Sequence, residues 1–262
     1  MSRITWLRGE SVSTVRPLMF TLGRGRRIHT WNPVVGCNFN CVYCWARRYA
    51  WRWAKMERIR CPKCARFTPH LHPERLYGRL PKRPRRPRVT FVCDMADLFG
   101  PFIPRAWIER VLEACRRYVA WSKGRHVFFY ETKNPARYEE FLDLMPRNSI
   151  LSTTIETDAY PRGRYVTKAP SPLSRWLAFR DLPWPNKHVS VEPVMRFTPR
   201  LIRWLSEIDG LKVVSVGLDN YGVLGRLGLP EPSAREFYWL IEQLESIGIS
   251  VEIKTQPEDR GR

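Results

Sequence analysis

The sequence predicts one α/β domain whose sheet is parallel. Short runs typical of β-strands alternate along the chain with segments of helical period, and this alternation indicates parallel βαβ units. The chain has 262 residues, of which 44% are hydrophobic and 13% aromatic, so it can bury the core of one domain of barrel size or slightly less. Most of the predicted strands end in polar residues, as strands do at the active-site end of parallel α/β barrels.

Seven segments are predicted as strands, and helices are predicted between several of them. The strands are residues 27–31, 89–93, 127–131, 150–155, 188–192, 213–217 and 250–254. One helix begins after Pro104, because apolar residues recur there at three- and four-residue steps up to Val119. Another begins at Ser233, a residue type that caps helices, and ends at Gly248.

Basic and proline-rich segments define the rest of the organisation. Residues 1–28 contain six arginines with little periodicity and are predicted as a basic N-terminal arm. Residues 58–88 are predicted as a basic insertion, and the proline-punctuated run 79–88 within it is expected to be an extended loop because its prolines disfavour a helix. A second long connection, 160–187, is expected over the mouth of the active site. The domain spans 29–256, and 257–262 form a short tail.

The chain is strongly basic. Its formal net charge is +20, from 45 Lys and Arg against 25 Asp and Glu. A field of one sign and this size concentrates polyanions around a protein, so we expect nucleic acid as a partner. The alternative is a composition suited to high temperature, because glutamine occurs only at positions 243 and 256. Tryptophans 45, 51 and 53 lie among arginines, and they either stack bases or pack against the domain.

The composition also indicates a compartment. No apolar run approaches 18 residues, and the N-terminus has no apolar segment followed by a cleavage site, so we expect neither a membrane span nor secretion. Seven cysteines, an odd number, fit a reducing environment better than a disulfide scaffold. The expected localisation is therefore cytoplasmic.

Three of the cysteines, Cys37, Cys41 and Cys44, lie on one short segment with the spacing C-x3-C-x2-C. They are too close together for a regular set of disulfides, and zinc sites usually combine a C-x2-C unit with a distant second pair. The spacing suits three corners of a [4Fe–4S] cluster whose fourth iron stays open to an exogenous ligand. A structural zinc knuckle built from the same thiols is the alternative.

This segment resembles the signature of the radical S-adenosylmethionine (SAM) superfamily, in which an aromatic residue, here Tyr43, precedes the third cysteine. The resemblance implies a partial (β/α) barrel of about six parallel strands, with the cluster loop after the first strand and SAM across the carboxyl ends. It also implies that SAM binds the open iron. An electron, from a donor such as ferredoxin or flavodoxin, would then cleave SAM to methionine and a 5′-deoxyadenosyl radical that abstracts hydrogen from a substrate.

The same resemblance implies residues that contact SAM. Tyr43 is expected near the adenine, and Asp94 and Asp97 take the place where other members bind the methionyl amino group. Ser152 and Glu156 are expected at the ribose or the carboxylate. The Gly-Gly-Glu run that is usual after the second strand is absent from this sequence.

Five ordered motifs resemble a little-studied, phage-associated branch of the superfamily. They are TWNPVVGC (30–37), MADLF (95–99), ETKNP (131–135), SVEPV (190–194) and EIKTQ (252–256). Relatives have serine where this chain has Ala96, and many have a longer spacer between the first two cysteines. The branch has no established reaction, and at the level of the fold it resembles spore photoproduct lyase, which repairs DNA by this chemistry.

Polar residues follow the predicted strands and supply the catalytic candidates. They include Asp94, Asp97, Glu131, Thr132, Lys133, Asn134, Glu156, Thr157, Glu192, Asp219, Asn220, Lys254 and Gln256. Lys133 and Glu192 are predicted as catalytic residues on this rim. Cys93 ends the second strand and is either a buried small hydrophobe or a hydrogen-atom donor to a product radical.

A second cysteine pair, Cys61 and Cys64, has the C-P-x-C form of zinc ribbons, with His70 and His72 downstream as candidate partners. Three roles are possible for this pair: a zinc site, an auxiliary cluster, and a surface pair or local disulfide.

Taken together, the motifs and the charge predict a radical SAM enzyme that abstracts hydrogen from a nucleic acid or nucleotide. The alternatives are a radical SAM enzyme acting on a peptide or small metabolite, and a nucleic-acid-binding protein with a structural cluster.

Overall fold

A computed structural model describes residues 29–58, 60–76, 88–124, 126–160 and 166–259. The predicted basic arm, 1–28, lies outside the described residues, and so does the basic insertion from 77 to 87. Of the predicted tail, Pro257–Asp259 forms a single 3-10 turn. The predictions for the arm and for the proline-punctuated run therefore stay predictions.

Nine strands are described, and they form two sheets. In chain order they are β1 (His29–Trp31), β2 (Val34–Val35), β3 (His70–Leu71), β4 (Arg88–Val92), β5 (His126–Thr132), β6 (Ile150–Thr154), β7 (Lys187–Val191), β8 (Leu211–Gly217) and β9 (Ser250–Thr255). The larger sheet has the order β1-β4-β5-β6-β7-β8-β9, and all its pairs are parallel. All seven predicted strands are confirmed, so the sheet has seven strands where about six were expected.

Helices cover the sheet. They are α1 (Trp45–Lys55), α2 (Pro62–Ala65), α3 (Arg105–Trp121), α4 (Pro172–Arg180), α5 (Pro199–Ser206), α6 (Val223–Arg226) and α7 (Ala234–Ser246), with 3-10 segments at Pro73–Arg75 and Pro135–Leu144. The two helices predicted from periodicity are α3 and α7. Ser233 and Glu236 cap α7 reciprocally, each side chain accepting from the other's backbone N–H.

The strand order follows the chain order, so each crossover places the next strand beside the previous one. Among the described strands β1 and β9 are the two edges, so the sheet is an open, partial barrel rather than a closed one. Since all seven strands are parallel, their carboxyl ends lie on one rim. This rim carries the candidate site.

The two faces of the sheet differ in chemistry. On β5, Phe128 and Tyr130 are buried in the hydrophobic core, whereas Phe129 and Glu131 line a cavity on the concave side. The core also contains Leu112 of α3, so the convex face packs against helices. The period of two residues in a strand thus separates a structural face from a chemical one.

The predicted second connection, 160–187, is partly wrong. Its described part contains the nine-residue helix α4. Pro172 occupies the start of α4, where a missing N–H costs nothing, and the Ser171 side chain caps it by accepting from Ser174 N. The prediction that this connection lies at the active-site mouth agrees with two contacts to the three-cysteine loop: Lys168 N donates to Phe39 O at 2.7 Å, and Val42 N donates to Val166 O at 3.0 Å.

Candidate active site

A cavity of about 570 Å³ opens at the carboxyl ends of the strands. Its lining brings together residues predicted separately from the sequence: Cys37, Cys41, Tyr43, Cys44, Asp94, Asp97, Lys133 and Glu192. Glu131, His188 and Ser190 line its floor on the sheet, and the exposed Lys254 also lines the cavity. The three-cysteine loop and the polar rim therefore line one cavity.

The loop that carries the three cysteines, residues 36–44, is held at its start by backbone contacts. Gly36 N donates to Met95 O at 2.9 Å, and Cys37 N donates to Phe67 O at 3.3 Å. Gly36 has φ +96°, and a Cβ there would lie 2.3 Å from the carbonyl carbon of Thr68, so only glycine fits. The loop is thus clamped between the end of β4 and the segment around residue 68.

The three thiols suit a cluster better than a single metal ion. Ligands of one tetrahedral zinc ion lie roughly 4 Å or less from one another. The three loop cysteines are not that close together. Within the described ranges, the group of metal-binding side chains whose ligand atoms all lie within 4.8 Å of each other belongs to residues 61–72. Cys37, Cys41 and Cys44 nevertheless line the same cavity, as ligands of three different irons would.

The cavity environment makes two of these thiols, Cys37 and Cys44, poor anions on their own. Burial, and then the charge of Asp97, raises the pKa of Cys37 well above its usual value. Burial also raises the pKa of Cys44. A metal site that deprotonates its thiols would supply the missing positive charge.

A buried ion pair between Arg175 and Glu156 holds the hydroxyl group of Tyr43 in place. Glu156 is 2% exposed, and Arg175 of α4 is fully buried with Nη2 2.7 Å from Glu156 Oε2. The Tyr43 hydroxyl donates to Glu156 Oε1, and Lys133 Nζ lies 2.5 Å from the same oxygen. Burial raises the pKa of Glu156, but the charges of Arg175 and Lys133 outweigh it and lower this pKa to about 2. Glu156 is therefore a permanent anion that orients Tyr43 and Lys133.

The two predicted aspartates occupy different positions. Asp94 is half-buried at the cavity wall, and its Oδ1 accepts from Asn32 Nδ2 at 2.5 Å. Asp97 is buried, and both of its oxygens accept from the end of β5, from Thr132 Oγ1 at 2.6 Å and from Lys133 N at 2.7 Å. Burial raises the pKa of both carboxyl groups. Asp97 thus ties two strand ends together, while Asp94 faces the cavity.

A hydrogen-bonded chain crosses the floor of the cavity. Ser152 Oγ donates to Glu131 Oε2 at 3.1 Å and lies 2.8 Å from His188 Nδ1, while His188 Nε2 lies 2.9 Å from Ser215 Oγ. Burial, and then the charge of Lys254, lowers the pKa of His188 well below its usual value, so this imidazole is neutral. Burial, and then the charge of Glu192, raises the pKa of Glu131 to about 7.

Not every predicted residue reaches the cavity. Cys93 is 1% exposed within the hydrophobic core, and burial raises its pKa to about 12, which favours the buried hydrophobe over the hydrogen-atom donor. Ser152 and Glu156 are buried and are absent from the described lining. Both lie one layer behind it, where they hold Glu131 and Tyr43 rather than a ligand.

Sequence reasoning missed Arg175 and His188. His188, Ser190 and Glu192 are spaced two residues apart and all line the cavity, so strand periodicity could have indicated His188. Arg175 lies in a stretch rich in proline and basic residues, where its helix was not recognised. Its partner Glu156 is on another element, and no local pattern links the two.

Helix α1 presents aromatic and basic side chains to solvent beside the cavity. Trp45, Tyr49 and Trp51 are 46%, 42% and 51% exposed, while Ala46 and Ala50 face the domain. Trp45 also lines the cavity. The alternative prediction, that Trp45 and Trp51 pack against the domain, is therefore wrong.

No helix in the described part of the chain is long and apolar enough to cross a membrane.

Comparison with solved structures identifies the class of fold. A spore photoproduct lyase variant with dinucleoside spore photoproduct aligns with a TM-score of 0.59 at 12% identity, covering 91% of this chain and 80% of that chain. A second variant of that lyase, with bound AdoMet and the same dinucleoside, aligns with a TM-score of 0.55 at 11% identity over 91% and 79%. The fold is thus a partial (β/α) barrel like that of spore photoproduct lyase, and the predicted partial barrel is confirmed.

The family is identified by a family model that matches residues 27–208 and is described as "Protein of unknown function (DUF5131)". This match spans more than half of the chain, so the chain belongs to that family. No curated protein matches the sequence.

The raised pKa of Glu131 leads to a prediction about stability. Between about pH 4.5 and 7 the folded protein binds a proton at Glu131 that the unfolded chain has lost, so stability should fall as pH rises through that window. Replacing Glu131→Gln removes this dependence and should stabilise the protein by about 1–3 kcal/mol above pH 7, with little effect near pH 4.5. Denaturant unfolding at several pH values measures the difference.

The matched control is Glu242→Gln, at an exposed position on α7. It should change the free energy of unfolding little at any pH. A gain from Glu131→Gln that is the same at low and high pH would contradict a titrating carboxyl group at this position.

Proposed function

We propose that this protein is a radical SAM enzyme. The observation that carries the proposal is the placement of three thiols and Tyr43 on one clamped loop, facing a 570 Å³ cavity on the polar rim of a parallel partial barrel. The similarity of fold to a lyase structure with bound AdoMet supports it. Cys37, Cys41 and Cys44 would each bind one iron of a [4Fe–4S] cluster, which would supply the electron that cleaves SAM.

The protein's own residues have distinct tasks in this proposal. Asp94, an acceptor at the cavity wall, is placed to bind an ammonium group such as that of a methionyl moiety. Tyr43 is fixed by the hydrogen bond to Glu156 and forms the wall beside the thiols. Lys133 holds a positive charge 5.2 Å from the centre of the Tyr43 ring, where it can meet an anionic group. Each of these residues would orient a ligand beside the thiols.

Glu131, Glu192 and Lys254 line the cavity from the ends of β5, β7 and β9 and do not belong to the cysteine loop. Lys254 Nζ lies 3.9 Å from Glu192 Oε1, and Glu131 has a pKa of about 7. A carboxyl group that is about half protonated at neutral pH can donate or accept a hydrogen bond. We assign these residues to the substrate rather than to SAM, with Lys133 and Glu192 as the catalytic candidates.

The proposed substrate is a nucleic acid or nucleotide. The net charge of +20 and the exposed aromatic residues of α1 both suit a polyanion with stacking bases. The similar lyase structures contain a dinucleoside, which supports the same class of substrate. A peptide or small-metabolite substrate remains the alternative enzyme function.

Reductive cleavage of SAM tests the proposal. Protein reconstituted anaerobically with iron and sulfide, then given dithionite or a ferredoxin or flavodoxin system, should form 5′-deoxyadenosine and methionine. A nucleic-acid-binding protein with a structural cluster would hold iron without forming 5′-deoxyadenosine. Iron content and product formation therefore separate the two classes of protein in one experiment.

Nucleic-acid binding should depend on two separate groups of residues. The first variant replaces four residues of the basic insertion by alanine: Lys82, Arg83, Arg85 and Arg86. It should lower the slope of log affinity against log salt by roughly three, at about 0.7–0.9 per lost phosphate contact.

The second variant, Trp45→Ala with Trp51→Ala, should weaken single-stranded DNA binding about tenfold or more with the slope unchanged, because stacking contributes about 1–3 kcal/mol per base. Titrations at several salt concentrations measure both.

The control removes the same number of positive charges from the outer helices. It replaces four exposed arginines by alanine: Arg116, Arg117, Arg203 and Arg235. An equal change of slope in this control would mean that only net charge matters. The absence of nucleic-acid binding at low salt would indicate that the substrate is a peptide or small metabolite rather than a nucleic acid.

A further inference from the structure

Four metal-binding side chains converge outside the cavity. Cys61 caps the start of the short helix α2, Cys64 lies within this helix, and His70 and His72 follow in and after β3. Their ligand atoms all lie within 4.8 Å of one another. Cys64 Sγ is 3.4 Å from His70 Nε2 and 3.2 Å from His72 Nε2, and Cys61 Sγ is 3.5 Å from His70 Nε2. A loose surface pair would not bring two histidines to the same point.

The hydrogen bonds of the two imidazoles show which nitrogen each presents. His70 Nδ1 lies 2.7 Å from the carbonyl oxygen of Thr68, and His72 Nδ1 lies 2.8 Å from Glu74 Oε1. A carbonyl and a carboxylate only accept, so both Nδ1 atoms must carry the proton. In a neutral imidazole the Nε2 atom then holds a lone pair.

These two lone pairs face each other across 2.8 Å, the distance between His70 Nε2 and His72 Nε2. Two lone pairs at that distance repel unless a cation lies between or beside them. The two thiols that complete the group add two further electron-pair donors within 3.5 Å of the imidazole nitrogens. Four donors of these types around one point form a ligand set for a metal cation.

We propose that Cys61, Cys64, His70 and His72 bind one zinc ion in a tetrahedral, structural Cys2His2 site. Zinc binds thiolate sulfur at about 2.3 Å and imidazole nitrogen at about 2.0–2.1 Å, and a closed four-ligand set is typical of its structural sites. The Thr68 carbonyl and the Glu74 carboxylate supply the outer contacts that orient metal-binding histidines. In an auxiliary cluster each ligand would bind a different iron, whereas these four ligand atoms all lie within 4.8 Å of one another. A local disulfide is not formed, because both cysteines are free thiols.

The site has a structural consequence for the three-cysteine loop. The segment between its ligands pairs with the residues just before Cys37, through the antiparallel β2–β3 contact and through His72 N, which donates to Pro33 O at 2.7 Å. Cys37 N donates to Phe67 O in the same segment. Zinc would therefore fix the support against which the cluster loop rests, without touching the cavity.

Metal analysis tests the site. It is best done with the triple variant Cys37→Ala, Cys41→Ala and Cys44→Ala, the alanine background, in which the loop thiols bind no metal. Protein purified with zinc in the medium should contain about one zinc per chain in this background and in the wild type. Adding Cys61→Ser and Cys64→Ser should lower zinc at least fivefold. The control Cys115→Ala, at a buried cysteine outside the group, should keep its zinc.

Cobalt provides a second measurement if the serine variant does not fold. Apo protein of the alanine background, titrated with Co²⁺, should develop the visible absorption of tetrahedral cobalt and a thiolate charge-transfer band at one equivalent, and Zn²⁺ should displace both. Equal zinc in the alanine background with and without the serine changes would overturn the site. So would iron in place of zinc, or the absence of both zinc and a tetrahedral cobalt spectrum. These outcomes do not depend on whether SAM is cleaved.

Discussion

Replacing Cys37, Cys41 and Cys44 together by alanine is expected to remove the iron–sulfur cluster and with it all cleavage of SAM. The wild type should bind about four irons per chain after anaerobic reconstitution, because the loop supplies three of the four corner ligands of one [4Fe–4S] cluster. The variant should retain only background iron. Formation of 5′-deoxyadenosine should fall at least a hundredfold, to the level without protein. Iron analysis and product chromatography measure the two effects on the same samples.

Two controls make the result specific to this loop. Cys115→Ala removes a cysteine that is buried in the core, and Cys61→Ser with Cys64→Ser removes the pair outside the cavity. Cys115→Ala should keep the cluster and SAM cleavage, and the folded serine variant should still bind iron because its three loop thiols are unchanged. Full iron and full SAM cleavage in the triple alanine variant would contradict the proposed function. A wild-type cluster that never cleaves SAM would instead favour a nucleic-acid-binding protein with a structural cluster.

Replacing Arg175→Met is expected to destabilise the fold by about 3–5 kcal/mol, because it leaves the carboxylate of Glu156 buried without its main partner. The hydrogen bond from Arg175 Nη1 to Thr154 O, 2.5 Å long, is lost as well. Glu156 has a depressed pKa in the folded state, so the wild-type advantage should be present above about pH 4.5 and be lost as pH falls toward 2. Denaturant unfolding of both proteins across this range measures the loss.

The double variant Arg175→Met with Glu156→Gln separates the ion pair from packing. It should recover part of the lost stability, since the buried carboxylate that lost Arg175 is then no longer present. Its recovered fold should still cleave SAM more slowly than the wild type, because Tyr43 has lost the anion that holds its hydroxyl. A double variant no more stable than Arg175→Met would show that the buried charge is not the cause.

Much of the fold could be predicted from local patterns. The seven strands of the parallel sheet and the helices α3 and α7 follow from hydrophobic periodicity, helix caps and terminal glycines. Helix α4 was missed because its sequence is rich in proline and arginine, although proline at a first helical position is favourable. The pair β2–β3 was missed because two-residue strands carry no period.

The sequence by itself determined which groups are available for chemistry. The spacing of Cys37, Cys41 and Cys44 places three thiols on one loop whatever the rest of the chain does. Polar residues such as Asp94 and Lys133 had to meet on one rim, because the carboxyl ends of parallel strands share an edge. These conclusions depend only on neighbours in the chain and on the direction of the strands.

Only the tertiary structure decided which partner each of these groups has. Tyr43 and Glu156 are 113 residues apart in sequence, and a helix that was not predicted brings Arg175 to the same carboxylate. The fold likewise directed Cys93 into the core and Trp51 into solvent. The physical reason is that burial and electrostatic pairing depend on contacts between distant segments, and local periodicity carries no information about them.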